Sequence, residues 1–598
     1  MRKKNLLYFL SYRIENMNIQ EHFKLPIYYN SDKKQVNQNI INDLELVKTL
    51  DGSANPIYSF FFDLKEKKDF AYAVLNQSTE LYTTDINFLK EYQQLLQNYK
   101  SIHHRYTANN NTNFQKIQEI WNDIKNDTGF KEKYYYIDWP MWEFLNNSET
   151  FLQFMSIYNM MSPVISLLLP IIILIIPFFV IQLKGLHLTI EEYIEVLKII
   201  LSQHALGKLF NEFNDVSINQ KIYLLISAAF YVFSIYQNVL SCVRFHQNMS
   251  KIHTYFKDIS EYLDYTISNM ENYLCFSNKL FTHKEFNCVA YEKMNILKNL
   301  HKKISFISDY KLTTRKFFEI GHILKYFYEI YDNQEYNDAL LYSFGFNGYT
   351  ECLNGILHNL ETKKIYFIEF SQNKQTNNNT KKKKKTIFKK SYYAALKDQK
   401  HIKNTIKLDK NVIITGPNAS GKTTVLKSTL INILLSQQFG CGFYNIGSKL
   451  AVFDNIHCYL NIPDTSGRDS LFQAEARRCK EIIDFIHDKK KETHFCVFDE
   501  LYSGTNPEEA ETSAISLMDY LVKNTKVSVI LTTHYINVCK NLEKNKNIVN
   551  YHMDVSTDEK NDFQYTYVLS KGISNTKGGI KVLKDMNYPK EILDNIAR

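Results

Sequence analysis

The nine cysteines of this 598-residue chain include no C-x-x-C pair, and none stands at zinc-ligand spacing. That argues against a zinc ribbon and against the disulfide framework of a small secreted domain; free thiols in a reducing compartment are the simpler account. No secretory leader is expected either. After Met1-Arg2-Lys3-Lys4 only six largely apolar residues precede Ser11, too few for an h-region. No internal repeat is visible, which argues against a solenoid or propeller. Charge of one sign is not in large excess: +9 over this length permits contact with DNA or anionic lipid and demands neither. With 23% charged and 14% aromatic residues the chain should fold, and it has room for several domains.

Charge is also absent locally. Residues 150–183 carry none, and the centre of that run is nearly all Ile, Leu, Phe, Val and Pro. A second uncharged run, 222–243, is bounded by Lys221 and Arg244. A bilayer core of about 30 Å needs roughly 20 helical residues. Both runs reach that length, so 150–244 reads as a transmembrane hairpin with spans near 160–183 and 222–243, the first more apolar than the second. A hairpin buried in a soluble core is the competing account. Pro163, Pro170 and Pro177 would break a soluble helix, but prolines are better tolerated within a membrane. Residues 1–149 are polar, aromatic and mainly helical in pattern, with no motif. Residues 245–372 are helical by period, poor in glycine and proline, and end in a short strand. Residues 373–390, with Lys381 to Lys385 in succession, read as an Asn/Lys-rich linker or as a patch for phosphate.

From 391 onward the pattern is α/β. Val412-Ile413-Ile414 predicts a buried strand; Gly416-Pro417-Asn418-Ala419-Ser420-Gly421-Lys422-Thr423 follows, then an apolar helix. Strand, G-x-x-x-x-G-K-[ST] and helix in that order predict a P-loop for ATP. Gly416 and Gly421 let backbone N–H groups wrap a phosphate, Lys422 reaches the β- and γ-phosphates, and Thr423 ligates Mg²⁺. Downstream, an apolar strand ends in Asp499-Glu500. Asp499 is the second candidate Mg²⁺ ligand and Glu500 the candidate general base. A third strand leads to Thr532-Thr533-His534, placing His534 to sense the γ-phosphate.

Together these residues resemble the MutS family. Thr415 to Thr424 fits its T-G-P-N-x-x-G-K-[ST]-[ST] loop, so Pro417, Asn418, Ser420 and Thr424 join the nucleotide-binding set. Ser470, Phe472 and Glu475 fit S-x-F-x-x-E; Asp499, Glu500, Leu501, Gly504 and Thr505 fit D-E-[LI]-x-x-G-T; Thr533, His534 and Tyr535 fit T-H-Y. Tyr567 to Ser574 is similar to the family's late strand and turn. The resemblance implies an ABC-type P-loop domain over 391–598, and lever and clamp helices over 245–372. It also implies a homodimer in which Ser470 of one copy completes the other's ATP site. There are departures. Tyr459 stands where an arginine is expected, and Tyr502-Ser503 replaces Gly-Arg. The F-x-E matches at Phe327 and Phe367 follow the apolar region and read as coincidence.

Two functions compete on this footing. One is an ATP-hydrolysing, mismatch-repair-like protein coupling nucleotide to mismatched or structured double-stranded DNA. The other is a membrane-tethered ATP-driven switch acting on a protein partner. A half-transporter ranks below both, since an LSGGQ signature and about six spans are missing. The expected location is membrane-anchored with the ATPase domain in the cytosol; a soluble cytoplasmic or nuclear protein is the alternative.

Overall fold

The computed structural model describes residues 19–52, 54–64, 70–101, 114–184, 189–203, 218–307, 318–371, 385–460, 462, 470–557, 563–574, 586 and 588–589. Its contacts divide the chain into two units, one of residues 1–108, 268–294 and 339–598, the other of residues 109–267 and 295–338.

The first unit is built on a six-stranded sheet. Its strands are β1 (Asn411–Thr415), β2 (Asn455–Tyr459), β3 (His494–Asp499), β4 (Val527–Thr533), β5 (Ile548–Thr557) and β6 (Phe563–Lys571), in the order β2-β3-β4-β1-β5-β6. The first five run parallel, and β6 returns antiparallel to β5. Strands in such a sheet are covered on both faces, which is why β1 and β2 are buried at every position. Helices Lys422–Phe439, Leu471–Asp488 and Pro507–Val522 connect the strands.

A four-stranded sheet joins Glu369–Phe370, Lys449–Leu450, Ile387–Ser391 and Asn404–Lys407 in that order. It therefore includes residues ahead of 391, because 387–391 pair with 404–407. Of the expected linker, 373–384 lies outside the described residues and 387–390 is strand.

The N-terminal stretch, which carries no motif, packs on the helix that follows the P-loop. Phe61 and Phe62 place their rings 5.1 and 5.5 Å from Phe439, at the end of the helix that starts from the P-loop. Two buried glutamines there find partners in the same stretch, as buried amides must. Gln438 Nε2 donates to Ser78 O (2.9 Å) and Leu81 O (2.7 Å), and Gln437 Nε2 donates to Thr83 O (3.3 Å). Tyr58 donates its hydroxyl to Gln438 Oε1.

In the second unit, Glu149–Leu183 is one continuous helix despite its three prolines. The long helix Ile218–Ser277 runs antiparallel to it: Tyr231 Oη donates to Ser166 O (3.2 Å), and Cys242 Sγ to Met160 O (3.6 Å). Both helices are long and apolar enough to cross a membrane by length and composition. Val164, Leu167, Ile176 and Phe179 on the first, and Ile222, Phe230, Val232 and Phe233 on the second, are exposed. Burial resumes at Phe245, Met249, Ile252 and Phe256. The base of the first helix is held by Gly321 N, which donates to Gln153 Oε1 at 2.8 Å. Phe327 is fully buried, 4.9 Å from the Tyr134 ring, and Phe367 is half-buried in a strand pair, so neither F-x-E match is an exposed wedge.

Candidate functional site

β1 delivers the chain into the glycine loop at the carboxyl edge of the sheet. Gly416 and Gly421 have φ of 153° and 96°, and Gly421 stands at the start of helix Lys422–Phe439. Both glycines also lack room for a side chain. A Cβ on Gly416 would lie 2.9 Å from Ser420 Oγ and 3.1 Å from Met553, and one on Gly421 would lie 3.3 Å from the Tyr567 ring. Ala419 adopts φ 62°, completing a loop whose N–H groups turn inward. Asn418 and Thr424 are exposed, whereas Pro417, Ser420 and Lys422 are buried.

Lys422 Nζ donates to the carbonyls of Gly416 (3.0 Å) and Pro417 (3.2 Å) and lies 3.6 Å from Glu500 Oε1. A buried ammonium held by two neutral carbonyls and one carboxylate has capacity for an anion. Ser420 Oγ, buried with no hydrogen-bond partner, is a second polar group in the same loop that a phosphate would satisfy.

β1, β3 and β4 are neighbours, which brings their carboxyl ends together. Thr423 Oγ1 lies 2.9 Å from Asp499 Oδ2 and donates to that carboxylate; Thr532 Oγ1 donates to Asp499 Oδ1. A hydroxyl and a carboxylate converging on one spot suit Mg²⁺, which takes hard oxygen ligands and few of them from protein. Burial pushes the Asp499 carboxyl above the usual range, against the lowering effect of the Thr532 and Thr423 hydroxyls. Glu500, next in the chain, turns the opposite way. His534, with Nδ1 3.9 Å from Glu500 Oε1, and then Lys422 hold its carboxyl below the usual range, against partial burial.

The loop after β3 is strained, with Glu500 at φ 47° and Tyr502 at φ 58°. Glu475 holds it. One carboxylate oxygen accepts Ser503 N (3.1 Å) and Ser503 Oγ (2.9 Å), and the other accepts Gly504 N (3.2 Å). Glu475 lies on the helix capped by Ser470, whose hydroxyl and Gln473 form a capping box. The acid of the S-x-F-x-x-E motif thus clamps the loop that carries Glu500. Tyr459, at the expected arginine position, is buried and accepts Tyr502 N at 3.4 Å.

Lys422, Thr423, Asp499, Glu500 and His534 therefore come together, and Ser470 does not join them. It is exposed at its helix start, bonded to Gln473. Sequence reasoning gave Thr532 no task, and read Tyr567 only as the start of the late strand. Tyr567 sits at φ 56° on β6, fastened by Asn404, which donates to Tyr567 O (2.9 Å) and accepts Leu569 N (2.8 Å). An aromatic two residues before the Leu-Ser-Lys-Gly turn was the available signal.

A parallel sheet with a glycine loop at its carboxyl edge and an acidic pair on a neighbouring strand defines a P-loop ATPase domain. Residues 412–598 match the family model of MutS domain V. Over 211 residues the chain is 28% identical to the DNA mismatch repair protein MutS of Persephonella marina, covering 34% of this chain and 24% of that protein. Over 208 residues it is 28% identical to Endonuclease MutS2 of Staphylococcus saprophyticus (34% and 26%). Over 207 residues it is 30% identical to the DNA mismatch repair protein MSH3 of Meyerozyma guilliermondii (32% and 21%). Residues 412–598 are therefore similar to domain V of MutS proteins. It spans about a quarter of the length of the curated relatives it matches.

Proposed function

We propose that this chain binds and hydrolyses ATP with Mg²⁺ in the cradle around Lys422, and couples the nucleotide to double-stranded DNA as a homodimer. The observation that carries the reading is the convergence of Lys422, Thr423, Asp499, Glu500 and His534. In this reading Lys422 exchanges its loop carbonyls for phosphate oxygens, and the Ser420 hydroxyl gains the partner it lacks. Thr423 and Asp499 would hold the metal, which would supply charge neutralisation at the phosphates. Glu500, kept ionised by His534 and Lys422, takes a proton from the attacking water. Ser470, free of the cluster in its own chain, serves the partner's site. The strand pair at Tyr567 walls the nucleotide beside the loop.

Lys422→Ala should weaken nucleotide binding roughly 10- to 100-fold, the value of losing one charge-assisted contact. Titration of a fluorescent ATP analogue checks it, and unchanged affinity would remove the cradle from the account.

The DNA half rests on the distribution of charge. Residues 381–410 hold twelve lysines and two aspartates, which leaves the remainder of the chain close to neutral. Lys389, Lys390 and Lys407 are exposed on the small sheet. Reversing all three to glutamate should lower the salt dependence of DNA binding by about three units of logarithmic slope and leave DNA-independent ATP turnover intact. An unaltered slope places the DNA elsewhere.

The two apolar helices support a further reading, that residues 150–244 sit in a membrane and hold the ATPase domain on the cytosolic side. Their exposed apolar surface is the specific observation in its favour. In that setting a protein partner is the competitor to DNA, and cross-linking of the membrane-bound chain separates the two.

A further inference from the structure

Two of the chain's three tryptophans face solvent, and both lie in one loop. Trp139 is 72% exposed and Trp142 44%, with Met141 at 72% and Phe144 at 63% beside them, whereas Trp121 is buried at 7%. Four large apolar side chains within six residues form a patch that a soluble surface normally avoids.

The loop is built to hold them outward. Asn146, fully buried, closes its base by accepting Ile137 N (2.9 Å) and donating to Ile137 O (2.8 Å). A turn bond from Trp142 N to Trp139 O (2.9 Å) sets the tip. The loop's acids are neutralised below it. Lys131 Nζ lies 2.9 Å from Asp138 Oδ1 and 2.7 Å from Glu143 Oε1, and Glu143 also accepts the Tyr328 hydroxyl at 2.9 Å. A polar, bonded base beneath an apolar crown is not a folding leftover, because a flexible loop would turn those side chains inward.

Its position supplies the partner. Ser148, two residues past the loop, caps the first apolar helix. Tyr135, just before it, places its hydroxyl 3.2 Å from Ser241 Oγ, and Asn248 Nδ2 donates to Lys133 O at 2.7 Å. Ser241 and Asn248 flank Arg244, where the second uncharged run ends. The loop is thus tethered beside both helices close to where their uncharged runs end, at Glu149 and Arg244. Tryptophan concentrates at that depth in membranes, its ring in the acyl boundary and its indole N–H among headgroups.

We infer that residues 137–146 form an interfacial anchor, with Trp139, Met141, Trp142 and Phe144 seated in the headgroup–acyl boundary of the bilayer that holds the hairpin. The inference rests on the membrane reading of residues 150–244. The loop fixes the depth and rotation of the helix that follows it, which length and hydropathy alone leave free. Indole seated by burial, with its acids already paired, gives binding that salt does not release.

The test uses the full chain with phosphatidylcholine liposomes whose acyl chains carry bromine at carbons 6 and 7, compared with unbrominated ones. Wild-type chain should float with both and lose most of its tryptophan emission with the brominated lipid alone. Trp139→Phe/Trp142→Phe keeps the apolar crown and leaves Trp121 as the reporter. It should float equally, with emission indifferent to bromine. Flotation with no bromine quenching of the wild type overturns the anchor and leaves the membrane hairpin standing, as does equal quenching of the double variant. Failure of the wild type to float removes the hairpin, and the anchor with it.

Discussion

Glu500→Gln retains nucleotide and loses turnover by about 10²- to 10⁴-fold, the usual value of a positioned general base. The substitution keeps size and most hydrogen-bonding capacity and removes only basicity. Glu500 is 36% exposed and sits between the Lys422 ammonium and the His534 ring. Its backbone φ of 47° is fixed by the loop that Glu475 clamps, so the amide occupies the same place. Hydrolysis blocked at intact affinity holds the ATP-bound form, and a dimer by size-exclusion chromatography with ATP is the second readout. The pH dependence has a defined sign. His534 and Lys422 lower the Glu500 pKa in the folded state, so its carboxylate persists below the pH at which an ordinary glutamate protonates. Its contribution to stability is present above the unfolded-state value and is lost as pH falls through the folded one. Without bound metal, Asp499 runs the other way, its pKa raised by burial. Turnover by Glu500→Gln equal to wild type removes Glu500 from its role.

The P-loop and the acidic pair were legible because each is written in contiguous residues whose chemistry demands that order. A strand, a glycine turn and a helix cannot be reordered and still aim N–H groups at a phosphate. The capping role of Ser470 went unread, although Ser-x-x-Gln stands ahead of an amphipathic helix. The clamp by Glu475 was not legible, because it joins one helix to a loop 28 residues later through two carboxylate oxygens, and no period marks such a contact. The same holds for the N-terminal stretch. Tyr58 meets Gln438 and Phe61 meets Phe439 across most of the chain, and aromatic residues scattered among charges carry no trace of that partner. Absent charge over 150–183 and 222–243 foretold two long apolar helices, since length and composition suffice for that. The exposed crown at 139–144 went unread, because two tryptophans in a polar stretch look the same whether they point in or out.

Gly355→Ala should cost about 3 kcal/mol, although alanine for glycine within a helix normally stabilises. Helix Gln334–Glu361 carries Gly345, Gly348 and Gly355, and each marks a place where the N-terminal stretch presses on the helix. At Gly355 an added Cβ would stand 1.7 Å from Phe62 O and 2.4 Å from its carbonyl carbon; at Gly348 it would stand 2.4 Å from Phe70 O. These are backbone atoms, so no rotamer change relieves the overlap and the 57–62 segment must move as a whole. That segment is also tied by Asn359 Nδ2, which donates to Phe61 O at 2.9 Å, and by Lys397 Nζ, which donates to Phe60 O at 2.9 Å. Displacing it would pull Phe61 and Phe62 from Phe439 and leave the Gln438 amide without the Tyr58 hydroxyl. The P-loop helix would lose its support at the end remote from Lys422. A lowered urea midpoint is therefore the first readout, and weakened nucleotide binding without any change at the site is the second. Gly52→Ala is the control, since a Cβ there meets nothing within 4 Å, and its unfolding free energy should stay within about 0.5 kcal/mol of wild type. A Gly355→Ala protein as stable as that control would mean that the N-terminal stretch does not press on the helix, and that residues 57–62 fold apart from the ATPase domain.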